Sequence, residues 1–286
     1  NISQVISGIS GKILKVSYTV SNYGGNGNIG ASPNGSDFNG NTGNGTFTDF
    51  ITPTSNNLYI RASYNFSGSI DNVSVKEVGQ DWTFGSTWSM GDSGANFQGS
   101  GSSTTALYQN NISLPSGKSY NIKFDISNAT GNASIWIGNS AGSVNYFGAS
   151  YVNRPNGSYN LYFTMPSTQT SLSFYANQSG SNFTIDNISV KEVGQHWTLP
   201  SNMTVENDKL VFQAATGSAT QTPVNTVNGR TYKVIFTVSD RTAGSVEFNF
   251  AGTSTVYGTN RSTNGTFTQV ITTTSNNHRF NLYASG

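Results

Sequence analysis

The chain has 286 residues and a net charge of +1, and charged side chains make up 9% of it against roughly 25% in an average soluble domain. No Lys/Arg cluster could neutralise a row of phosphates, and no stretch approaches the roughly 20 apolar residues of a membrane-spanning helix, so neither nucleic-acid binding nor membrane insertion is expected. Cysteine is absent, which excludes disulfides and thiolate metal sites. Solubility therefore rests on Asn, Ser, Thr and Gly, whose short polar side chains favour strands and turns over helices.

Self-similarity organises the chain. Ile70-Asp71-Asn72-Val73-Ser74-Val75-Lys76-Glu77-Val78-Gly79-Gln80-Asp81-Trp82 returns as Ile185-Asp186-Asn187-Ile188-Ser189-Val190-Lys191-Glu192-Val193-Gly194-Gln195-His196-Trp197. Gly11-Lys12, Gly117-Lys118 and Gly229-Arg230 fall into step with it, as do Gly45-Thr46-Phe47, Gly157-Ser158-Tyr159 and Gly265-Thr266-Phe267. Three copies result, over residues 1–78, 79–193 and 194–286.

In the first copy, Asn1-Ile2-Ser3 aligns with Asn111-Ile112-Ser113, so the copy enters after its opening strands. Val16, Tyr18 and Val20 alternate with Ser17, Thr19 and Ser21, the period of a strand with one buried face. Residues 22–45 read as a turn-rich connection. A later strand turns Leu58, Ile60 and Ala62 inward and Tyr59 and Arg61 outward.

The middle copy is complete. Trp82 recurs as Trp197 and Trp88 aligns with Met203, which marks these tryptophans as core. Ile122, Phe124 and Ile126 form the inward row of one strand, and Leu172, Phe174 and Ala176 that of another, with Tyr175 outward. Trp136 lies between Ile135 and Ile137, and alternation turns it outward too. The third copy repeats the rows as Val234, Phe236 and Val238, then Phe280, Leu282 and Ala284 with Tyr283 outward, and stops before an equivalent of Ile185 to Val193. A longer array, or strands donated by a neighbouring subunit, is the expectation for the partial copies. The fold class expected is all-β: tandem antiparallel β-sandwich, or jelly-roll, domains.

The Ile-Asp-Asn-Val/Ile-Ser-Val-Lys-Glu segment followed by Asp/His-Trp-Thr resembles the galactose-binding-like jelly-roll carbohydrate-binding modules. It also resembles repeat arrays in tail-fibre and other surface proteins of marine phages and bacteria. The resemblance covers all three copies, and its motif is structural. It implies a structural calcium ion held partly by Asp71 and Asp186, although each Asp could equally cap a turn. It also implies stacking of sugar rings on outward aromatics, for which Trp136 and Tyr175 are the first candidates, followed by Tyr59, Arg61 and Tyr283. The alternative for these rings is packing within a sandwich or between copies.

Catalysis is not expected. His196 aligns with Asp81, His278 has no ionisable counterpart, and no triad, paired-carboxylate motif, zinc signature or phosphate loop is present. The function expected is a structural and adhesive repeat array of an extracellular or virion-surface appendage. Its partners would be a polysaccharide or cell-surface glycan, copies of itself, or neighbouring repeats. The alternative is a purely structural filament or decoration protein without a glycan ligand.

Overall fold

The computed structural model describes residues 1–99, 105–131, 133–147, 151–176, 181–214 and 216–285. The described regular structure is all β, arranged as antiparallel sheets. The first copy contributes β1 (Ile2–Val5), β2 (Leu14–Gly25), β3 (Ile29–Ser32), β4 (Gly45–Ile51), β5 (Asn57–Ala62) and β6 (Phe66–Glu77). These form two sheets, ordered β1-β5-β3 and β4-β2-β6. Leu14, Val16, Tyr18 and Val20 on β2 meet Leu58 and Ile60 on β5 in one core.

The middle copy contributes β7 (Trp82–Phe84), β8 (Trp88–Gly91), β9 (Gly94–Gln98), β10 (Thr105–Leu114), β11 (Ser119–Thr130), β12 (Ser134–Gly138), β13 (Val152–Asn153), β14 (Gly157–Thr164), β15 (Gln169–Ala176) and β16 (Asn182–Val193). One sheet runs β13-β12-β15-β10-β7 and the other β14-β11-β16-β9-β8. The inward rows meet as periodicity requires: Phe124 lies edge-on to Phe174 at 5.3 Å, and Trp88, Phe97 and Phe183 form a packed trio. Trp88 is buried as expected, whereas Trp82 and Trp197 are half-buried and pack against the rims of their cores.

The third copy contributes β17 (Trp197–Thr198), β18 (Met203–Glu206), β19 (Lys209–Phe212), β20 (Gly217–Gln221), β21 (Thr231–Val238), β22 (Ser245–Gly252), β23 (Val256–Tyr257), β24 (Gly265–Thr272) and β25 (Asn277–Ser285). Its first sheet, β17-β20-β25-β22-β23, reproduces the five-strand order of the middle copy. Its second is split into the pairs β21-β24 and β18-β19.

Two recurrent devices explain the Asn-rich punctuation. Opposite β11, strand β16 carries one extra residue at Asn187, and opposite β2, strand β6 does the same at Asn72. Both Asn residues are left-handed, at φ 54° and 53°, and each gives its strand a β-bulge. A second left-handed residue recurs at Asn22, Asn128 and Asp240. The N–H that follows it donates to an Asn side chain: Tyr23 to Asn44 at 2.8 Å, Ala129 to Asn156 at 2.8 Å and Arg241 to Asn264 at 3.0 Å.

The joints between copies are tight turns. Trp82 N–H donates to Gly79 O at 3.1 Å and Trp197 N–H to Gly194 O at 3.0 Å, with Asp81 and His196 left-handed at φ 66° and 75°. A positive φ at the third residue is the mark of a type II turn. The turn fixes a backbone shape there, which both Asp and His adopt.

One segment differs from expectation. Residues 22–45 hold the end of β2 and all of β3, whose Ile29 and Ala31 are core. Backbone pairing to β5 and a side-chain network hold this Gly- and Asn-rich strand in place. Tyr18 OH donates to Ile29 O at 3.1 Å or to Asp49 at 3.0 Å, Ala31 N–H donates to Asp49 at 2.7 Å, and Asn41 donates to the Tyr18 hydroxyl at 2.8 Å. Burial raises the Tyr18 pKa above the ordinary phenol value, so the hydroxyl stays a donor.

Because the bulge at Asn187 demands a positive φ, Asn187→Val should cost about 1–2 kcal/mol in urea denaturation. Asn187→Gly, which accepts that φ, should cost less in the same measurement.

Candidate functional site

The outer face of the β12–β15 pair carries the strongest aromatic feature. Ile135 and Ile137 point into the core, so Trp136 points out, directly across from Tyr175 on β15. The two rings meet edge to face, 4.9 Å apart at 76°. The indole lies along its own strand over Gly138, where a Cβ would sit 2.3 Å from the ring. The Tyr175 hydroxyl donates to Ser140 O at 2.8 Å, which ties the loop after β12 to the sheet. Burial, with Tyr151 and Tyr108 nearby, raises the Tyr175 pKa. Both rings are half-buried, and part of each surface serves the other.

The remaining outward candidates stand on equivalent faces of other sheets. Arg61 is opposite Gly30 and Tyr283 is opposite Glu247, where the middle copy pairs Tyr175 with Trp136. Tyr59 and Arg61 are engaged by the loop after β3. Gly35 packs on the Tyr59 ring, while the Arg61 guanidinium donates to Gly35 O at 3.2 Å and to Ser36 O and lies over Phe38 at 5.5 Å. The structure thus joins Trp136 with Tyr175 and Tyr59 with Arg61, and places Tyr283 on a third sheet.

Asp71 and Asp186 immediately precede the left-handed Asn of each bulge and are exposed. The Asp71 carboxylate accepts the Asn72 N–H at 2.7 Å. Asp186 faces Asp125 across the sheet, and the Asp125 pKa is lowered by hydrogen bonds from Ser158 and Asn187. Among the described residues no group of three or more His, Cys, Asp or Glu side chains gathers that could hold a metal ion.

Two clefts lie between sheets and were not legible from periodicity. One of about 400 Å³ opens at the rim of the middle sandwich between Trp82, Ile112, Tyr120 and Val190. Its carboxylate, Glu192, is 3.4 Å from Lys118, and that carboxylate together with burial raises the Tyr120 pKa. The other, about 280 Å³, opens in the first copy between Ile29, Ile60, Phe66 and Ile70. Alignment puts this second cleft where the β8–β9 hairpin inserts Trp88 and Phe97 in the middle copy. The two histidines lie apart, His196 in the joint and His278 exposed on β25.

No family model and no curated protein sequence matches the chain. Among solved structures, a chain of the Sulfolobus turreted icosahedral virus is 14% identical, with 99% of this chain and 81% of that one covered at a TM-score of 0.27. A structure describing the triple jelly-roll fold and turret assembly of an archaeal virus is also 14% identical, with 99% and 80% covered at a TM-score of 0.28.

Tyr175→Phe removes the tie to Ser140 and should lower stability by about 0.5–1.5 kcal/mol in urea denaturation. Chelation with EDTA should leave the melting temperature unchanged, as bulges built on the left-handed Asn72 and Asn187 need no ion; a drop of several degrees would instead support the calcium expectation.

Proposed function

We propose that the chain is a non-enzymatic structural array of jelly-roll units in an extracellular or virion-surface assembly. The observation that carries this reading is that one sandwich unit recurs along the chain and is joined to the next by the same tight turn, at Gly79-Gln80-Asp81-Trp82 and at Gly194-Gln195-His196-Trp197, as in a head-to-tail array.

The surface supports the same reading. Strand faces and turns present hydroxyl and amide groups, and the few ion pairs lie on the surface, where such pairs contribute little. Among the described residues the titratable side chains are dispersed over the copies, and these two clefts bring no nucleophile together with a base. The position held by Trp136 and Tyr175 becomes Gly30 and Arg61 or Glu247 and Tyr283 in the other copies, so this aromatic pair does not recur with the repeat.

Sedimentation of the 286-residue chain at rising concentration should show association that is weakened by Val73→Lys, a charge at an exposed apolar position. On a glycan array the same chain should retain no sugar above background. Saturable glycan retention abolished by Trp136→Ala, with no association at any concentration, would replace this reading with the adhesive one.

A further inference from the structure

Successive copies touch at a second place besides the tight turns at residues 79–82 and 194–197. The middle and third copies each carry an opening hairpin closed by a two-residue loop: Asp92-Ser93 between the paired Gly91 and Gly94, and Asn207-Asp208 between the paired Glu206 and Lys209. Residues 81–98 align without a gap on residues 196–213, so Asp92 and Asn207 are equivalent. Both reach back across the joint to the copy before.

They land on the same spot. The Asp92 carboxylate lies 2.6 Å from Lys15 Nζ, which stands 5.8 Å from the centre of the Phe50 ring. Asn207 Oδ1 accepts the Tyr162 hydroxyl at 3.2 Å. Lys15 and Phe50 face each other across β2 and β4, and Asn121 and Tyr162 across β11 and β14. Counted from the aligned Gly11 and Gly117, and Gly45 and Gly157, these two pairs occupy one position of the unit. Since β9 is anchored to β16 in a full sheet, the unit itself sets where Asp92 falls. A turn alone leaves two bodies free to swing, and a contact farther along removes that freedom.

We infer that the outer face of this strand pair receives the hairpin loop of the next copy, and that between the first and middle copies the contact is a latch released by salt. This deepens the array reading above and rests on it only in taking the copies as successive units of one chain.

Loop and receiving face match in charge. Lys15 lies between Phe50 on β4 and Lys76 on β6, so the first face is cationic and takes the acidic Asp92. At the second joint Lys191 keeps the place of Lys76, but Asn121 replaces Lys15. Its amide donates to Asn160 at 2.5 Å and to Leu161 O at 3.1 Å, and the loop residue that meets this face is the neutral Asn207.

The joints also differ in how far water reaches. The Lys15 and Asp92 side chains are 35% and 62% exposed, and an ion pair so placed is weak and screened by salt. It can favour one orientation without imposing it. At the second joint β18 packs on β11 and β14, where Ser119, Asn121 and Thr164 are buried. The Thr164 hydroxyl donates to Met203 O, and Leu199 N–H donates to Gly117 O at 2.9 Å. Neutral hydrogen bonds out of water respond little to ionic strength. The first joint is therefore adjustable and the second fixed.

The test uses the whole chain, whose lack of cysteine lets two introduced cysteines carry a donor and an acceptor dye. Thr42→Cys with Thr130→Cys spans the first joint, and Thr130→Cys with Thr255→Cys the second; all three positions are exposed. At low salt, single-molecule energy transfer across the first joint should give a narrow main population. In about 1 M sodium chloride a broader, undocked population should grow about threefold relative to it. Asp92→Asn and Lys15→Met should each produce that rise at low salt, and both together no more than either alone, since they break one pair. Across the second joint the distribution should stay narrow throughout.

A broad distribution across the first joint at low salt would overturn the inference, because the turn alone would then link the copies. So would a narrow one that neither salt nor the substitutions change, because packing would then set the angle, and so would equal broadening at both joints. The salt titration leaves Lys15 and Asp92 in place, so a variant that fails to fold does not remove the test. Molecules read one at a time report neither self-association nor glycan retention, so either proposal can fail without the other.

Discussion

The position of the closing strand governs this architecture. β16 comes last in its copy and lies in the middle of the second sheet, with β11 on one side and β9 on the other. It alone joins the opening hairpin to the rest of that sheet. Beneath it the apolar row Tyr120, Ile122, Phe124 and Ile126 of β11 is covered.

Much of the fold could be read from the residues because burial imposes a period of two. Val16, Tyr18 and Val20 face inward, as do Ile122, Phe124 and Ile126, and Trp136 faces outward between two buried isoleucines. Periodicity reports which way a side chain faces, not what lies beyond the edge of its strand. β3 escaped notice because four buried residues between Gly- and Asn-rich flanks carry no alternation, and its place depends on Asp49 and Tyr18 from distant strands.

The candidate site was less legible. The resemblance implied an ion at Asp71 and Asp186, and the residue after each, Asn72 or Asn187, supplies a left-handed backbone. A recurrent carboxylate beside it has the same sequence signature whether it binds an ion or caps its neighbour's N–H. The outward aromatics were placed on the correct face, but their partners come from loops: Ser140 for Tyr175, and Gly35 and Ser36 for Arg61. Loop contacts leave no periodic trace. Asn44, Asn156 and Asn264 show the converse, since equivalent hydrogen bonds could have been found by aligning all three copies at Asn-Gly.

A strand that is made last but belongs in the centre also sets a timetable. As the polypeptide leaves the ribosome, the β8–β9 hairpin must wait for nearly the whole of its copy before its sheet partner exists. Contacts so distant in sequence slow folding. Until then the nascent unit displays an open seam, and a neighbouring molecule at the same stage could fill it with a closely similar strand, the usual route to swapped or misassembled repeats.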